Sequence, residues 1–192
     1  MTEAQRLNEF LENAPELVKH NSPLIYYLSG RGFFSAPAST KYHGAYEGGL
    51  YDHSKAVYER LQTLTDKLGL QWERPESPYI VGWFHDLCKI DQYELVVDDP
   101  GMVMMGGTDV TGYQYHYEYR TDLPIRGHGE KSVIYLAQFI PMTFEEIMCI
   151  RYHMGAFGDE SSQRDYGNAV QQCPNVLWTH TADMFASKVE GT

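Results

Sequence analysis

His85-Asp86 places an imidazole and a carboxylate side by side directly after the apolar run Ile80-Val81-Gly82-Trp83-Phe84. Both side chains can reach one cation, and the carboxylate can also bridge to a second. Next to an apolar face neither group can be left unsatisfied, because burying an unpaired polar or charged group is costly. Four more residues of the same chemistry follow the helical spacing. His53 lies three residues after Leu50 and four before Val57, on the apolar stripe of its segment. There it suits either a core histidine bonded to a backbone carbonyl or a ligand, and His85-Asp86 tips it toward ligand. His128 stands in Arg126-Gly-His-Gly-Glu130, His153 in Ile150-Arg-Tyr-His-Met-Gly155, and Asp183 in His180-Thr-Ala-Asp-Met-Phe185. Four histidines and two aspartates form a mixed nitrogen and oxygen set suited to borderline transition ions such as Fe, Mn, Zn, Co or Ni. The set contains no thiolate, so a structural zinc site fits poorly.

The elements that must carry these residues are mainly helical. Leu7, Phe10, Leu11 and Leu17 predict a helix over Thr2 to Leu17, and Ser22-Pro23 starts a shorter one through Tyr27. The small-residue stretch Ser35 to Gly49 reads as an ordered loop. Leu50, Val57, Leu61, Leu64 and Leu68 predict a helix closed by Gly69. Ser77-Pro78 reads as an N-cap followed by proline, with helix from Pro78 to Lys89. Tyr113, Tyr115, Tyr117 and Tyr119 alternate with polar residues, as in a half-exposed strand. Together with Tyr93 to Val97, Met102 to Met105 and a Gly106-Gly107 turn, they predict an antiparallel β-hairpin inserted at about 91–126. Helices resume over His128 to Phe139, stopped by Pro141. A capping box at Thr143-Phe-Glu-Glu146 starts another, reaching about Met154. Gly158 to Gln172 reads as a mobile polar loop, and Pro174 opens a last helix through Lys188.

The chain has 192 residues, enough for one domain with a full core. A formal charge of -11 removes any sequence-independent attraction to a nucleic-acid backbone, so duplex nucleic acid is not an expected partner. No apolar run of about 18 residues is present to span a membrane, and Met1 to Phe10 lacks the blocks of a signal peptide. Cys88, Cys149 and Cys173 are odd in number and widely spaced, which points to free thiols in a reducing cytoplasm. The sequence carries no signal for oligomeric state.

In order, His53, His85-Asp86, His128, His153 and Asp183 resemble the H…HD…H…H…D pattern of the HD superfamily of metal-dependent phosphohydrolases, over Tyr42 to Val189. The resemblance implies an HD-domain helical bundle over 1–192. It implies His53, His85, Asp86 and Asp183 as core ligands, and His128 and His153 as the pair that completes a dinuclear site. Asp86, Lys89 and Asp183 would then carry catalysis, with hydroxide generated between two cations. Lys89 falls three residues after Asp86, as in the family's HD-x-x-K, where a lysine contacts a substrate phosphate or hydroxyl; a helix-end lysine suited to the helix dipole is the other reading. Arg126, Lys131 and Arg151 flank ligands, where they suit phosphate contacts or surface ion pairs. His43 suits either a place lining the site or a hydrogen bond within its loop.

The stretch His43 to His53 (HGAYEGGLYDH), Gly127-His128, His153-Met-Gly155 and Asn175 to Lys188 is similar to HD-type 3′–5′ exoribonucleases, which carry an extra nucleic-acid-binding domain that has no counterpart here. The implied activity is hydrolysis of a nucleotide or other small phosphate ester, as a phosphomonoesterase or phosphodiesterase. The alternatives are an HD-type di-iron oxygenase, an exonuclease-like phosphodiesterase and a non-catalytic nucleotide-binding protein. The tyrosine stripe reads as a packed strand face in preference to a base-stacking platform. His180 reads as support for the site or the fold, and His20 and His116 as incidental.

Overall fold

Helices dominate the computed structural model, which describes residues 1–42, 44–97, 115–125, 127–157 and 160–191. His43, Arg126, Tyr113, the Met102–Met105 strand and the Gly106-Gly107 turn lie outside the described residues. Thr2 caps α1 (Glu3–Glu12) through a capping box with Gln5. Pro15, which has no N–H to continue a helical ladder, separates α1 from the short α2 (Glu16–Lys19), so the single helix expected over Thr2 to Leu17 is two. Asn21 caps α3 (Ser22–Gly30) by accepting from the Leu24 N–H, and this helix runs past Tyr27.

α4 (Gly49–Leu68) matches its spacing, with Leu50, His53, Val57 and Leu61 fully buried on one face and Gly69 at its end. α5 (Ser77–Phe84) is buried along its whole length. The expected continuation to Lys89 does not occur. The α-helix stops at His85, and a 3₁₀ turn covers Leu87–Asp91. Strands β1 (Tyr93–Val97) and β2 (Tyr115–Tyr119) form an antiparallel pair, with Tyr93 opposite Tyr119 and Leu95 opposite Tyr117. Packing of the tyrosines is looser than expected: Tyr117 is half-buried and Tyr119 is 58% exposed. Tyr93 and Tyr119 of this two-stranded ribbon border a cavity described below.

The second half contains α6 (His128–Leu136), α7 (Phe144–Tyr152), α8 (Glu160–Gln172) and α9 (Asn175–Phe185), followed by a π turn at Ala186–Glu190. α8 overturns the expectation of a mobile loop at Gly158 to Gln172. Its polar sequence buries Ala169 and packs Tyr166 and Val170 on the core, which is enough to hold a surface helix. Phe185 of α9 is 41% exposed and lies under the Arg60 guanidinium. No helix among the described residues is long and apolar enough to cross a membrane.

Two contacts set the frame of the site. Glu146, fully buried, completes the capping box of α7 with Thr143 and accepts from Nε and Nη2 of Arg74, each at 2.7 Å, and from the Ser77 hydroxyl at 2.9 Å. α5 and α7 therefore start close together, and they end after rises of about 12 and 13–14 Å, at His85 and His153. The second contact is the crossing of α5 on α4. A Cβ at Gly82 would stand 2.5 Å from Tyr58 Cα, so only glycine lets the backbones come this close. Gly82→Ala is expected to push α5 off α4 and cost about 1–3 kcal/mol, read as a fall in melting temperature of roughly 2–4 °C per kcal/mol. An unchanged melting curve would show that the crossing has slack.

Candidate metal centre

The ends of α5 and α7 deliver two histidines by the same local device. His85 is the C-cap of α5, and its Nδ1 lies 2.9 Å from Gly82 O; His153 is the C-cap of α7, and its Nδ1 lies 2.7 Å from Ile150 O. A carbonyl only accepts, so each Nδ1 carries the proton and donates. Each bond satisfies a helix-end carbonyl and leaves the Nε2 lone pair facing inward. The His85 and His153 rings are 4.9 Å apart, centroid to centroid. His180 of α9 donates from Nδ1 to the His153 carbonyl at 2.8 Å, so its role is support.

α4 presents His53, whose Nε2 is 3.2 Å from His85 Nε2 and 3.2 Å from Asp183 Oδ1 of α9. α6 presents His128 at its first residue. The next residue, Gly129, lets α6 reach the last turn of α7: a Cβ there would stand 2.3 Å from Arg151 O and 2.6 Å from Ile150 O. That close approach brings the His128 ring within 5.3 Å of the His153 ring.

Asp86 sits among all of them and is 2% exposed. Its two oxygens face different partners. Oδ2 is 3.4 Å from His53 Nε2, 3.5 Å from His85 Nε2 and 2.6 Å from Lys89 Nζ. Oδ1 is 2.5 Å from His128 Nε2 and 3.3 Å from His153 Nε2. Lys89 reaches Asp86 from the 3₁₀ turn, in which residues three apart stand nearly above one another. The contact expected from an α-helix face thus arises from a tighter helix.

Burial opposes the charge on Asp86, yet Lys89, His85 and His128 hold its carboxyl well below the ordinary range. Burial also opposes protonation of His53, but the carboxylates of Asp183 and Asp86 outweigh it and raise the imidazole. At His85 burial prevails and the imidazole is lowered. Burial would raise the Asp183 carboxyl, and His53, with the charges of His85 and His153, brings it below its ordinary value.

Donor atoms within 4.8 Å of one another form three overlapping groups among the described residues: His53, His85 and Asp86; His85, His153 and Asp183; and Asp86, Cys88 and His128. These groups can coordinate metal ions. The fit is chemical as well as spatial. His153 Nε2 is fully buried with no hydrogen-bond partner, and its lone pair meets a carboxylate oxygen 3.3 Å away. Two electron-rich atoms so placed repel unless a proton or cation lies between them.

The remaining candidates sit elsewhere. Lys131 is buried and paired with Asp91 at 2.5 Å, and Asp91 also accepts from the Tyr135 hydroxyl at 2.7 Å. Arg151 lies on the surface with Glu130 and the Tyr152 hydroxyl. Neither lines the cavity in front of the centre. That cavity, of about 370 Å³, is bordered by Asp86, Lys89, His128 and Asp183 and by the aromatic side chains of Tyr93, Tyr119 and Phe157. Cys88 was absent from the expected site. Its place two residues after Asp86 is the signal in the sequence that points to it. Burial pushes that thiol up to about 12, so it is protonated.

No protein-family profile, curated protein or solved structure matches this chain. The likeness to an HD-type site rests on the His and Asp clusters themselves.

Loading with Mn²⁺ or Zn²⁺ is expected to stabilise the fold. At a hundred times the dissociation constant the gain is about 2.7 kcal/mol, a rise in melting temperature of roughly 5–11 °C for a chain of this size. A chelator should reverse it, and Asp86→Asn should abolish it. An equal rise in the Asp86→Asn protein would mean that the ion binds elsewhere.

Proposed function

We propose that the protein is a metal-dependent phosphohydrolase that cleaves a nucleotide or another small phosphate ester at a dinuclear centre. The observation that carries this reading is the division of labour on Asp86, whose two oxygens face two separate pairs of imidazoles. In this reading His53, His85, Asp86 and Asp183 would hold one cation, and His128 and His153, with Asp86, would hold a second. Such cations supply Lewis acidity to a phosphoryl oxygen and lower the pKa of a water that attacks phosphorus.

The chain's own groups do the rest. Asp183 borders both the cluster and the cavity, where it can accept a hydrogen bond from the attacking water and orient it. Lys89 is buried at the cavity wall with its ammonium on Asp86, placed to lend positive charge to phosphoryl oxygens as negative charge builds on them. Burial lowers the Lys89 pKa and the Asp86 carboxylate more than restores it, so the ammonium stays charged. Tyr93, Tyr119 and Phe157 give the cavity an aromatic rim suited to a planar base, which favours a nucleotide over a sugar phosphate. At about 370 Å³ the space is at the lower end of the range for small-ligand sites.

Metal analysis followed by a phosphate-release screen across nucleotides and short oligonucleotides tests the reading. Asp86→Ala should lose metal and hydrolysis together. Lys89→Met should retain metal while hydrolysis falls by about 10²–10³, the usual loss for one charged contact to the transition state. Some of that loss can appear in KM if the ammonium also holds the ground-state phosphate. Wild-type rates in metal-loaded Lys89→Met would remove Lys89 from the mechanism. Dioxygen uptake by an iron-loaded protein that releases no phosphate would replace hydrolase with oxygenase.

A further inference from the structure

His128 is held differently from His85 and His153. His85 and His153 follow helices and find a backbone carbonyl three residues back for Nδ1. His128 is the first residue of α6, after the N-cap Gly127, where the helix offers N–H donors and no carbonyl behind the ring. Its Nδ1 instead lies 3.5 Å from the Cys88 Sγ, with Nε2 on Asp86 at the opposite end of the ring. Cys88 is fixed in turn. Its backbone N–H donates to the Ser132 hydroxyl at 3.0 Å, and that hydroxyl donates to His128 O at 3.3 Å. The sulfur, the ring and the serine thus close a loop between the 3₁₀ turn and the first turn of α6.

We propose that Cys88 is the positioning residue for His128, and that its thiol, acting on Nδ1, makes the two cation sites unequal: a firm one built on His53, His85 and Asp183, and a weaker one completed by His128. The proposal rests on the reading of His128 as a metal ligand. A carbonyl fixes one tautomer, because it can only accept. A thiol is both a weak donor and a weak acceptor. With Nδ1–H donating to sulfur, Nε2 is free to bind a cation. With S–H donating to Nδ1, Nε2 keeps its proton and gives it to Asp86. His128 must therefore settle its tautomer when a cation arrives, whereas His85 and His153 are set in advance.

Stepwise Mn²⁺ titration by calorimetry tests this, combined with ¹⁵N imidazole spectra of the metal-free protein. Wild type should show two binding steps of different affinity. Cys88→Ala, a small change in a buried site, should weaken the second step by about 10–100-fold, the usual cost of losing a ligand's hydrogen-bond partner. The first step should be unchanged, and the His128 resonances should shift toward the Nε2–H form while those of His85 and His153 stay in place. Cys88→Ser, whose hydroxyl can also donate and accept, should recover part of the second step. Equal weakening of both steps would make Cys88 a packing residue and overturn the proposal, as would an unaltered second step in Cys88→Ala. These readouts need no turnover. Two unequal steps without phosphate release would therefore sink the hydrolase reading and leave the role of Cys88 standing.

Discussion

The buried carboxylate of Asp86 is the constraint around which the other parts are arranged. A negative charge at 2% exposure costs several kcal/mol unless positive charge and hydrogen bonds surround it. The chain meets that cost with Lys89 from the same turn, His53 from α4 and His128 from α6, while His85 beside it and His153 from α7 face it with lone pairs that a cation would join to it. Because these partners come from separate elements, Asp86 can be satisfied only when those elements have docked. Folding and assembly of the site are therefore coupled, and the part of the set that His128 and His153 complete is lost if α6 or α7 is displaced.

Helix ends, more than helix faces, do the positioning. A histidine at a C-cap solves two problems with one bond, since it satisfies an orphan carbonyl and aims its other nitrogen away from the helix. The device occurs twice, at His85 and His153. The two ends coincide because α5 and α7 begin together at Glu146 and are of nearly equal length. The Glu146 ion pair and capping box, at the far end of both helices, thus help to set the spacing of two imidazoles.

Much of this was legible in the sequence, for identifiable reasons. The α4 stripe, with His53 in register with Leu50 and Val57, follows from helical periodicity. The hairpin at Tyr93 and Tyr119 follows from alternation. The convergence of the six His and Asp residues was expected from their kind and order. Other features were not legible. The stop of α5 at His85 is absent from local preference, because residues Phe84 to Lys89 contain no glycine or proline. The Cys88 N–H there donates to the Ser132 hydroxyl of α6 instead of to its own helix, which is a tertiary contact. α8 was missed because its apolar positions are few, and a polar helix held by Tyr166, Ala169 and Val170 looks like a loop. Lys131 looked available for phosphate because its partner Asp91 is forty residues away. Cys88 looked inert because a thiol's role as a ring partner depends on where His128 lands.

The same arrangement explains why one side of the centre is open. His53, His85 and His153 are fully buried, whereas the His128 side chain is 25% exposed. α6 begins with His128, so no preceding turn of helix covers the ring, and the glycine on either side adds no bulk. The 3₁₀ turn cannot cover it either, because its Lys89 points back at Asp86 and its Asp91 is occupied by Lys131 and Tyr135. What covers the gap in part is the β-ribbon, through Tyr93 and Tyr119, and Phe157 after α7. A cluster that can hold metal ions, bordered by this cavity and its aromatic rings, is open to a small molecule from the side of the rings. On the proposed hydrolase reading, the phosphate end of such a molecule would point inward toward Lys89, and its apolar end would lie against the rings.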